Sequence, residues 1–401
     1  MLHDFLTVHQ LIALPHHNRN RDDRNAPKSL LEGGVNRGVL SSQSQKRAAR
    51  IRYEETAAQV ASKRSRHLAK EIAGRAEDLA AHVGAELDTA AAEQAAKSLI
   101  AKLVKNTASA DAALAAAEKT ARDTHERRIP EGADADMYMA EFDAAAASKR
   151  AAVEAKRGER DETALWISDE ELELAAVAIA RGETPDAADI FTAATGSLAI
   201  AAFGRMFTNQ PDASTEAAIA VSPAVTTHPI NIGFDTFTTI DDLASNGAAH
   251  WSHTSHTTGV YYRTQTIDRK QLRRSWSGID RDGARTLLDV FVRALVETVP
   301  QGRKNSSAAE TRPAVILAEQ QAYRFGYQFE TPVQPLPTGG YLAPSIDELF
   351  EQAAQARDYD PDAIGPSFIS GTKAAAAPEL AGAGRGGIRQ LTDFIVDWVL
   401  D

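Results

Sequence analysis

Hydrophobic and polar positions at the start of the chain predict two strands joined by a polar loop. Residues 4–14 form an apolar run rich in β-branched and aliphatic side chains, which is typical of a buried strand. The segment 15–29 is polar and favours a loop. Gly33 and Gly34 then predict a turn, after which residues 35–40 return as a short strand.

Helix signals dominate the next part of the chain. The Ser-x-x-Gln motif at 42–45 matches a capping box, so we predict that a helix starts there and runs through Tyr53. Residues 55–160 are rich in alanine with interspersed charges, which predicts helices. A second capping box within 165–171 predicts a helix through about Arg181. Together these segments predict a helical subdomain inserted after the first strands.

The last part of the chain returns to strands and adds two amphipathic helices. Residues 226–268 mix threonine, aromatic residues and glycine, which favours strands and an extended excursion. Apolar positions spaced by three and four residues predict helices over 281–300 and 388–401, with a strand at 313–320 between them. Because helices and strands segregate without regular alternation, the pattern predicts an α+β fold carrying a helical insertion.

Composition then restricts the kinds of site the chain can hold. The sequence contains no cysteine, which excludes disulfides, thiolate metal sites and a cysteine nucleophile, and fits a reducing cytosol. The first residues lack the basic segment of a signal peptide, and no apolar run reaches the length of a membrane span. We therefore expect a soluble, cytoplasmic protein that does not contact a membrane.

Charge is distributed unevenly along the chain. The formal net charge is −11, yet residues 1–52 carry 9 basic and 4 acidic side chains and so sum to +5. A local basic patch can bind phosphate while an acidic body discourages indiscriminate binding of nucleic acid.

The helix predicted after residue 42 concentrates much of this positive charge. Its spacing places one polar and basic set of side chains on a common face or beside it: Gln43, Lys46, Arg47 and Arg50. Hydroxyl groups cluster at the N-terminus of the helix, on Ser41, Ser42 and Ser44. A helix N-terminus with cations and hydroxyls suits phosphate groups. The alternative is a basic face that is merely solvated.

Three other clusters leave their roles open. In the loop 18–28, the basic residues Arg19, Arg21, Arg24 and Lys28 extend the basic patch. The adjacent acids Asp22 and Asp23 are either a metal-dependent nuclease pair or local salt-bridge partners and turn formers, and we favour the second. The histidines of 250–256 have a spacing that could bind zinc on a helix, but their polar surroundings favour a flexible loop tip. The nearby aromatic residues Phe234, Phe237 and Trp251 are either core or stacking groups, and composition alone favours the core.

Several of these motifs together resemble one protein family. The segment NRDDRN at 20–25 with Lys28, the Gly33–Gly34 turn and SSQSQKRAAR at 41–50 resemble the N-terminal signature of the CasC family. That family supplies the crRNA-binding backbone subunit of the type I-E CRISPR complex Cascade. Later segments that resemble motifs of this family follow in the same order as in the family: GRM at 204–206, TTH at 226–228, FTTIDDL at 237–243, GAAH at 247–250 and TTGVYYR at 257–263.

The resemblance implies a hand-shaped subunit. Its palm would be a modified RRM-like (ferredoxin-like) sheet, its fingers the helical insertion and its thumb an extended hairpin. The implied boundaries are 1–54 for the N-terminal palm, 55–188 for the fingers, 189–225 for the palm return, 226–258 for the thumb and 259–401 for the C-terminal palm.

The resemblance also implies ligands and roles for individual residues. The subunit would polymerise along the crRNA, hold its phosphates and present its bases to target DNA, together with other Cascade subunits and without a cofactor, a metal or catalysis. Met206 and Phe237 would be apolar wedges between bases. The implied RNA-binding set is Arg21, Lys28, Ser41, Ser42, Gln43, Lys46, Arg47, Arg50, Arg205, Met206 and Phe237. The alternative is a ribonuclease like the backbone subunits of type III complexes, which would cut target RNA with Asp22 or Asp23.

Overall fold

The computed structural model describes residues 3–57, 61–84, 86–104, 164–240 and 248–401, with the single residues 122, 139 and 143. The chain divides into two compact units. The first, here called the sheet unit, comprises Met1–Ala61, Ala194–Arg205 and Thr215–Asp401. The second, the helical unit, comprises Ser62–Ala193 and Met206–Ser214. Most of the alanine-rich segment from 105 to 163 lies outside the described residues.

The strands in chain order are β1 (Phe5–His17), β2 (Ser29–Glu32), β3 (Val35–Leu40), β4 (Ser62–Ser65), β5 (Leu165–Ser168), β6 (Ile219–Val221), β7 (Ala224–Thr226), β8 (Gly233–Ile240), β9 (Ala248–Asp268), β10 (Val315–Gln321), β11 (Ile364–Ser370) and β12 (Ala383–Arg385).

The helices in chain order are α1 (Ser42–Thr56), α2 (Leu68–His82), α3 (Thr89–Leu103), α4 (Asp169–Ala180), α5 (Ala187–Ile190), α6 (Leu198–Phe203), α7 (Arg269–Ser275), α8 (Ala284–Glu297), α9 (Lys304–Ser307), α10 (Leu342–Tyr359) and α11 (Ile388–Leu400). Short 3₁₀ turns occur at Pro211–Ala213 and Ala374–Ala376.

One large sheet organises the sheet unit. Its strand order is β12-β11-β10-β1-β9-β7-β3-β2, and β6 and β8 pair with further parts of the long strand β9. Neighbouring strands are antiparallel except for β11 and β12, which are parallel. Helices and strands segregate as the sequence predicts, so the α+β class is confirmed for the described residues.

The central strand β1 explains why the first apolar run is continuous rather than alternating. It lies between β10 and β9, with His9 opposite Leu317 on one side and Thr264 on the other. Residues 6–12 of this strand are all buried. A strand whose two faces are both covered needs apolar or internally bonded side chains on both.

Helix α8 confirms the amphipathic helix predicted within 281–300. Its buried stripe includes Leu288, Phe291 and Leu295. The Phe291 ring meets Tyr53 of α1 edge-on at 5.1 Å between ring centroids, and it also contacts Phe203 of α6 at 5.7 Å. This packing fixes α1, and with it the predicted phosphate-binding face, against α6 and α8 within the sheet unit.

A buried polar network joins the sheet to helix α10. The Glu319 carboxylate of β10 is fully buried, and its Oε2 lies 3.1 Å from Nε2 of His9. Its Oε1 lies 2.8 Å from Nη1 of Arg357 on α10, and Tyr327 donates its hydroxyl to Oε2 at 2.8 Å. His9 in turn contacts the Tyr262 hydroxyl at 2.9 Å. We call this set the Glu319 network.

The core of the helical unit consists mainly of alanine and leucine side chains. Alanines and leucines of α2, α3 and α4 form its core, which also takes in Phe191 and Phe207. The capping box predicted within 165–171 is confirmed, because Ser168 caps α4 and Glu171 completes the box. The antiparallel pair β4–β5 was not predicted. Among the described residues, no helix is long and apolar enough to cross a membrane.

Candidate nucleic-acid interface

Helix α1 begins one residue earlier than the sequence motif predicts. Ser41 is the N-cap, with extended backbone angles (φ −63°, ψ 148°), and its hydroxyl accepts a hydrogen bond from the Ser44 amide at 3.4 Å. Gln45 is buried instead of completing a cap, and its amide donates to the carbonyls of Leu40 and Ser222, both at 3.0 Å. The predicted capping box at 42–45 is therefore wrong, although the helix itself is present.

Asn20 joins the two basic motifs that the sequence places twenty residues apart. Its side-chain oxygen accepts a hydrogen bond from the Ser41 amide at 2.7 Å. Its carbonyl accepts from the Lys28 amide at 2.9 Å, and the Lys28 carbonyl accepts from Val39 at 2.9 Å. The loop 20–28 and the start of α1 are therefore held side by side. Sequence reasoning did not single out Asn20, because its partner is distant in the chain.

Asp22 has the contacts of a turn former. Its Oδ1 accepts hydrogen bonds from the amides of Arg24 at 2.9 Å and Ala26 at 2.8 Å. The turn continues through Asn25, which has a positive φ of 63° and accepts a hydrogen bond from Arg21 Nη1 at 3.2 Å. These bonds support the turn-forming interpretation of Asp22 over the nuclease interpretation.

The outer face of α1 carries the predicted polar set. Gln45, Ala48, Ala49 and Tyr53 face the core, which leaves the other positions outside. Gln43 and Arg47 are exposed. Lys46 is half-buried, its ammonium lies 5.6 Å from the centroid of the Phe203 ring, and burial lowers its pKa. Arg50 lies 3.9 Å from the Glu54 carboxylate one turn later, so Arg47 is the more accessible of the two arginines.

The remaining predicted residues near α1 differ in exposure. Ser41, Ser42 and Lys28 are partly exposed, and Arg21 is exposed. Arg37 and Arg19, by contrast, are 1% and 3% exposed. Arg37 donates to the carbonyls of three segments, those of Glu32, Thr226 and Glu330. The prediction that Arg19 extends the basic surface is therefore wrong, since buried guanidinium groups of this kind hold the fold together.

The hairpin β8–β9 places aromatic side chains in solvent. Phe234 is 72% exposed, Phe237 is 42% exposed and Trp251 is 65% exposed, so the interpretation of these residues as core is wrong. In the register Thr238 pairs with Trp251 and Phe237 pairs with Ser252. Because side chains alternate across a strand, Phe237 lies on one face, and Phe234 and Trp251 lie on the other.

The histidine-rich segment 250–256 belongs to β9, so the prediction of a loop tip is wrong. His253 lies beside Phe234, with ring centroids 6.1 Å apart. His256 is buried near the base of the hairpin, with its ring 4.2 Å from His16. Among the described residues, no group of three or more histidine or acidic side chains is arranged to hold a metal ion.

The motif Gly-Arg-Met at 204–206 lies at the division between the two units. Gly204 has a φ of 76°, and a Cβ there would lie 3.0 Å from Ala217, so the position requires glycine. Arg205 is 7% exposed, and its backbone pairs with Thr215 at 3.0 Å in both directions. Met206 is 74% exposed and belongs to the helical unit.

Comparisons with known proteins identify one matching family and two solved structures with a similar fold. The model of the family described as CT1975-like protein matches residues 6–394. A chain of a solved "CRISPR RNA-guided surveillance complex, pre-nicking" has a TM-score of 0.69 and 22% identity, and the match covers 98% of this chain and 100% of that one. A chain of a "CRISPR RNA-guided surveillance complex" has a TM-score of 0.55 and 19% identity, with 98% of each chain covered. No protein of curated function matches significantly. At these identities the two structures show a shared fold.

Proposed function

The chain belongs to the CT1975-like protein family, and we propose that it is a non-catalytic, RNA-binding subunit of a Cascade-type CRISPR surveillance complex. In this proposal it corresponds to the CasC subunit of type I-E complexes. The sheet unit contains an RRM-like palm, the helical unit contains the fingers, and the β8–β9 hairpin is the thumb. The fold shared with chains of RNA-guided surveillance complexes supports this assignment.

One observation carries the proposal: the hydrogen bond that joins Asn20 to the first turn of α1. It holds the exposed Arg21 beside the helix that carries Gln43 and Arg47. Cations, a hydroxyl-rich cap and the amides of the helix N-terminus then converge on one surface. Such a surface contacts phosphates, which carry no sequence information and leave the bases of a guide free to pair.

The thumb hairpin supplies the second part of the mechanism. Phe237 stands exposed on one face of β8, where it can enter a stack of bases as an apolar wedge. Each wedge costs roughly a few kcal/mol of unstacking, which is offset when the RNA wraps more protein surface. Met206, which is also exposed, has the same proposed role from the helical unit.

The assembly follows from the same mode of binding. Contacts to a repeating backbone can be made by successive copies of one chain, so we propose that several copies line the crRNA spacer as a helical filament. The partners are then crRNA, further copies of this chain, other Cascade subunits and, through base pairing, target DNA.

A matched pair of double variants tests the RNA-binding surface. Arg21→Gln with Arg47→Gln removes two exposed cations beside the α1 cap, whereas Arg293→Gln with Arg389→Gln removes two exposed arginines from α8 and α11. We expect the first pair to weaken binding of single-stranded RNA roughly tenfold for every sequence tested, and the control pair to have little effect. A loss that depended on RNA sequence would mean that α1 reads bases, contrary to the proposal.

The ribonuclease alternative has its own test. Purified complex is incubated with RNA complementary to the guide and with Mg²⁺, and the products are separated by size. Intact RNA is the expected result. Regularly spaced cuts that disappear in Asp22→Ala or in Asp23→Ala would overturn the non-catalytic assignment.

A further inference from the structure

A single buried side chain closes the loop formed by residues 300–309. Arg19 Nη1 donates to the Pro300 carbonyl at 2.8 Å, and its Nε donates to the Ala309 carbonyl at 3.1 Å. Its Nη2 lies 3.7 Å from the Glu310 carboxylate. The guanidinium therefore holds both ends of the loop together, and we call residues 300–309 the clamped loop.

The backbone of the clamped loop adopts conformations that few side chains tolerate. Gly302 lies against the Arg19 backbone so closely that a Cβ at this position would overlap the Arg19 carbonyl oxygen. Arg303 and Ala308 have positive φ angles of 49° and 45°. Left-handed conformations at residues other than glycine persist where surrounding contacts enforce them, and they concentrate at functional sites. The Arg19 clamp supplies the enforcing contacts here.

The turn that is held in this way presents two neighbouring cations. Lys304 is exposed and Arg303 is partly exposed. Among the residues that the structure describes, neither side chain lies within ion-pair distance of a carboxylate, whereas Arg312, just beyond the loop, pairs with Glu297. The clamp thus holds two cations at the surface without local neutralisation.

The clamped loop also connects the two parts of the proposed RNA surface. Arg19 directly precedes Asn20, whose side chain bonds the Ser41 amide at the start of α1. On the other side, His17, two residues before Arg19, pairs with Thr257 of β9 at the base of the hairpin, where the His16 and His256 ring centroids lie 4.2 Å apart. The loop is therefore held by a segment, residues 16–20, that runs from the base of the hairpin to the α1 cap.

We propose that the clamped loop is a further binding site for the phosphodiester backbone of RNA, in which Arg303 and Lys304 neutralise phosphates that lie between those at the α1 cap and the nucleotides at the hairpin. The site rests on the proposed function, since it extends the same RNA path. Arg19 acts as a positioning residue, because it shapes the loop from the interior and is itself 3% exposed.

The test compares two double variants of the full chain with the wild type. Arg303→Gln with Lys304→Gln removes the two loop cations, and Arg293→Gln with Arg389→Gln is the charge-matched control. Fluorescence anisotropy measures the affinity for labelled single-stranded RNA of mixed sequence at several salt concentrations. We expect the loop variant to bind roughly tenfold more weakly and its log–log salt slope to shrink by about 1.4, since each single-strand phosphate contact contributes about 0.7.

The outcomes separate this site from the proposed function. If the wild type binds RNA and the loop variant matches it in affinity and salt slope, the clamped loop is not a binding site and the α1 surface stands. If the wild type itself binds no RNA, the proposed function fails, and the loop site fails with it. Equal thermal unfolding of both variants and the wild type checks that each is folded.

Discussion

Removal of the Arg263 guanidinium is expected to destabilise the sheet unit by about 3–5 kcal/mol, because five buried neutral acceptors would lose their donors. Arg263 of β9 is 1% exposed, and all five of its N–H donors are used. The acceptors are Gln10 Oε1 at 2.7 Å, Gln45 Oε1 at 3.1 Å and the carbonyls of Thr298 at 3.0 Å, Leu295 at 3.4 Å and Val296 at 2.7 Å.

The size of the expected destabilisation follows from the hydrogen bonds that the acceptors lose. Three of them are carbonyls at or just after the C-terminus of α8, where no further turn of helix can satisfy them and where a cation is favoured. Each buried acceptor left without a donor costs about 1–3 kcal/mol, and relaxation or water entry recovers part of the sum. Burial lowers the pKa of Arg263 to about 9, so the group remains charged at pH 7 and its bonds are charge-assisted.

Two substitutions compare the loss of all five hydrogen-bond donors with the loss of only some of them. Arg263→Met keeps much of the side-chain volume but supplies no donor, so it is expected to show the full loss. Arg263→Lys offers three donors to five acceptors, and we expect it to lose about half as much. Since Gln45 is one of the acceptors, both variants should also loosen α1, and with it the proposed RNA surface.

Urea unfolding gives the free-energy change, and amide hydrogen exchange reports α1 and α8 separately from the helical unit. Arg293→Met on the exposed side of α8 is the control, expected to change stability by less than about 0.5 kcal/mol. An Arg263→Met variant that lost less than about 1 kcal/mol, with unchanged exchange in α1, would refute the reasoning that this guanidinium ties α1 to α8.

Three further predictions concern other parts of the sheet unit. Glu319→Gln should cost about 3 kcal/mol in urea unfolding. Burial alone would raise the Glu319 pKa, but the contacts with His9, Arg357 and Tyr327 together hold this pKa below its usual value. The stability of the wild type should therefore fall as the pH drops below the usual glutamate pKa of about 4.3, more steeply than the stability of the variant, and equal pH dependence would contradict this. Arg303→Gly should raise the free energy of unfolding, measured with urea, by about 0.5–1 kcal/mol, because glycine adopts a positive φ without strain. A decrease in this free energy would argue against strain at the position. Phe237→Ala in the assembled complex should retain RNA but change the affinity for complementary DNA, whereas unchanged DNA affinity would count against a wedge.

Sequence patterns predicted those elements whose signals are local. The strand β1, the turn at Gly33 and Gly34, and helices α1, α4 and α8 are all present near their predicted bounds. Each depends on a run, a cap or a periodicity within about fifteen residues, which one segment of chain carries by itself. The basic and polar face of α1 was predictable for the same reason, since helical spacing alone separates Arg47 from the buried Ala48 and Ala49.

Which charged and aromatic side chains are available for binding was decided only by the tertiary structure. Arg19, Arg37 and Arg263 cannot be told from surface arginines by composition, yet each is buried and bonded to carbonyl oxygens distant in sequence. Phe237 could not be told from a core residue, because its exposure depends on a hairpin that extends with both faces uncovered. Local backbone preferences act over a few residues, so the residues that determine a helix, strand or turn lie within that element. Burial depends on which distant segments come to lie on either side, and so the proposed binding surface forms only once the sheet has formed.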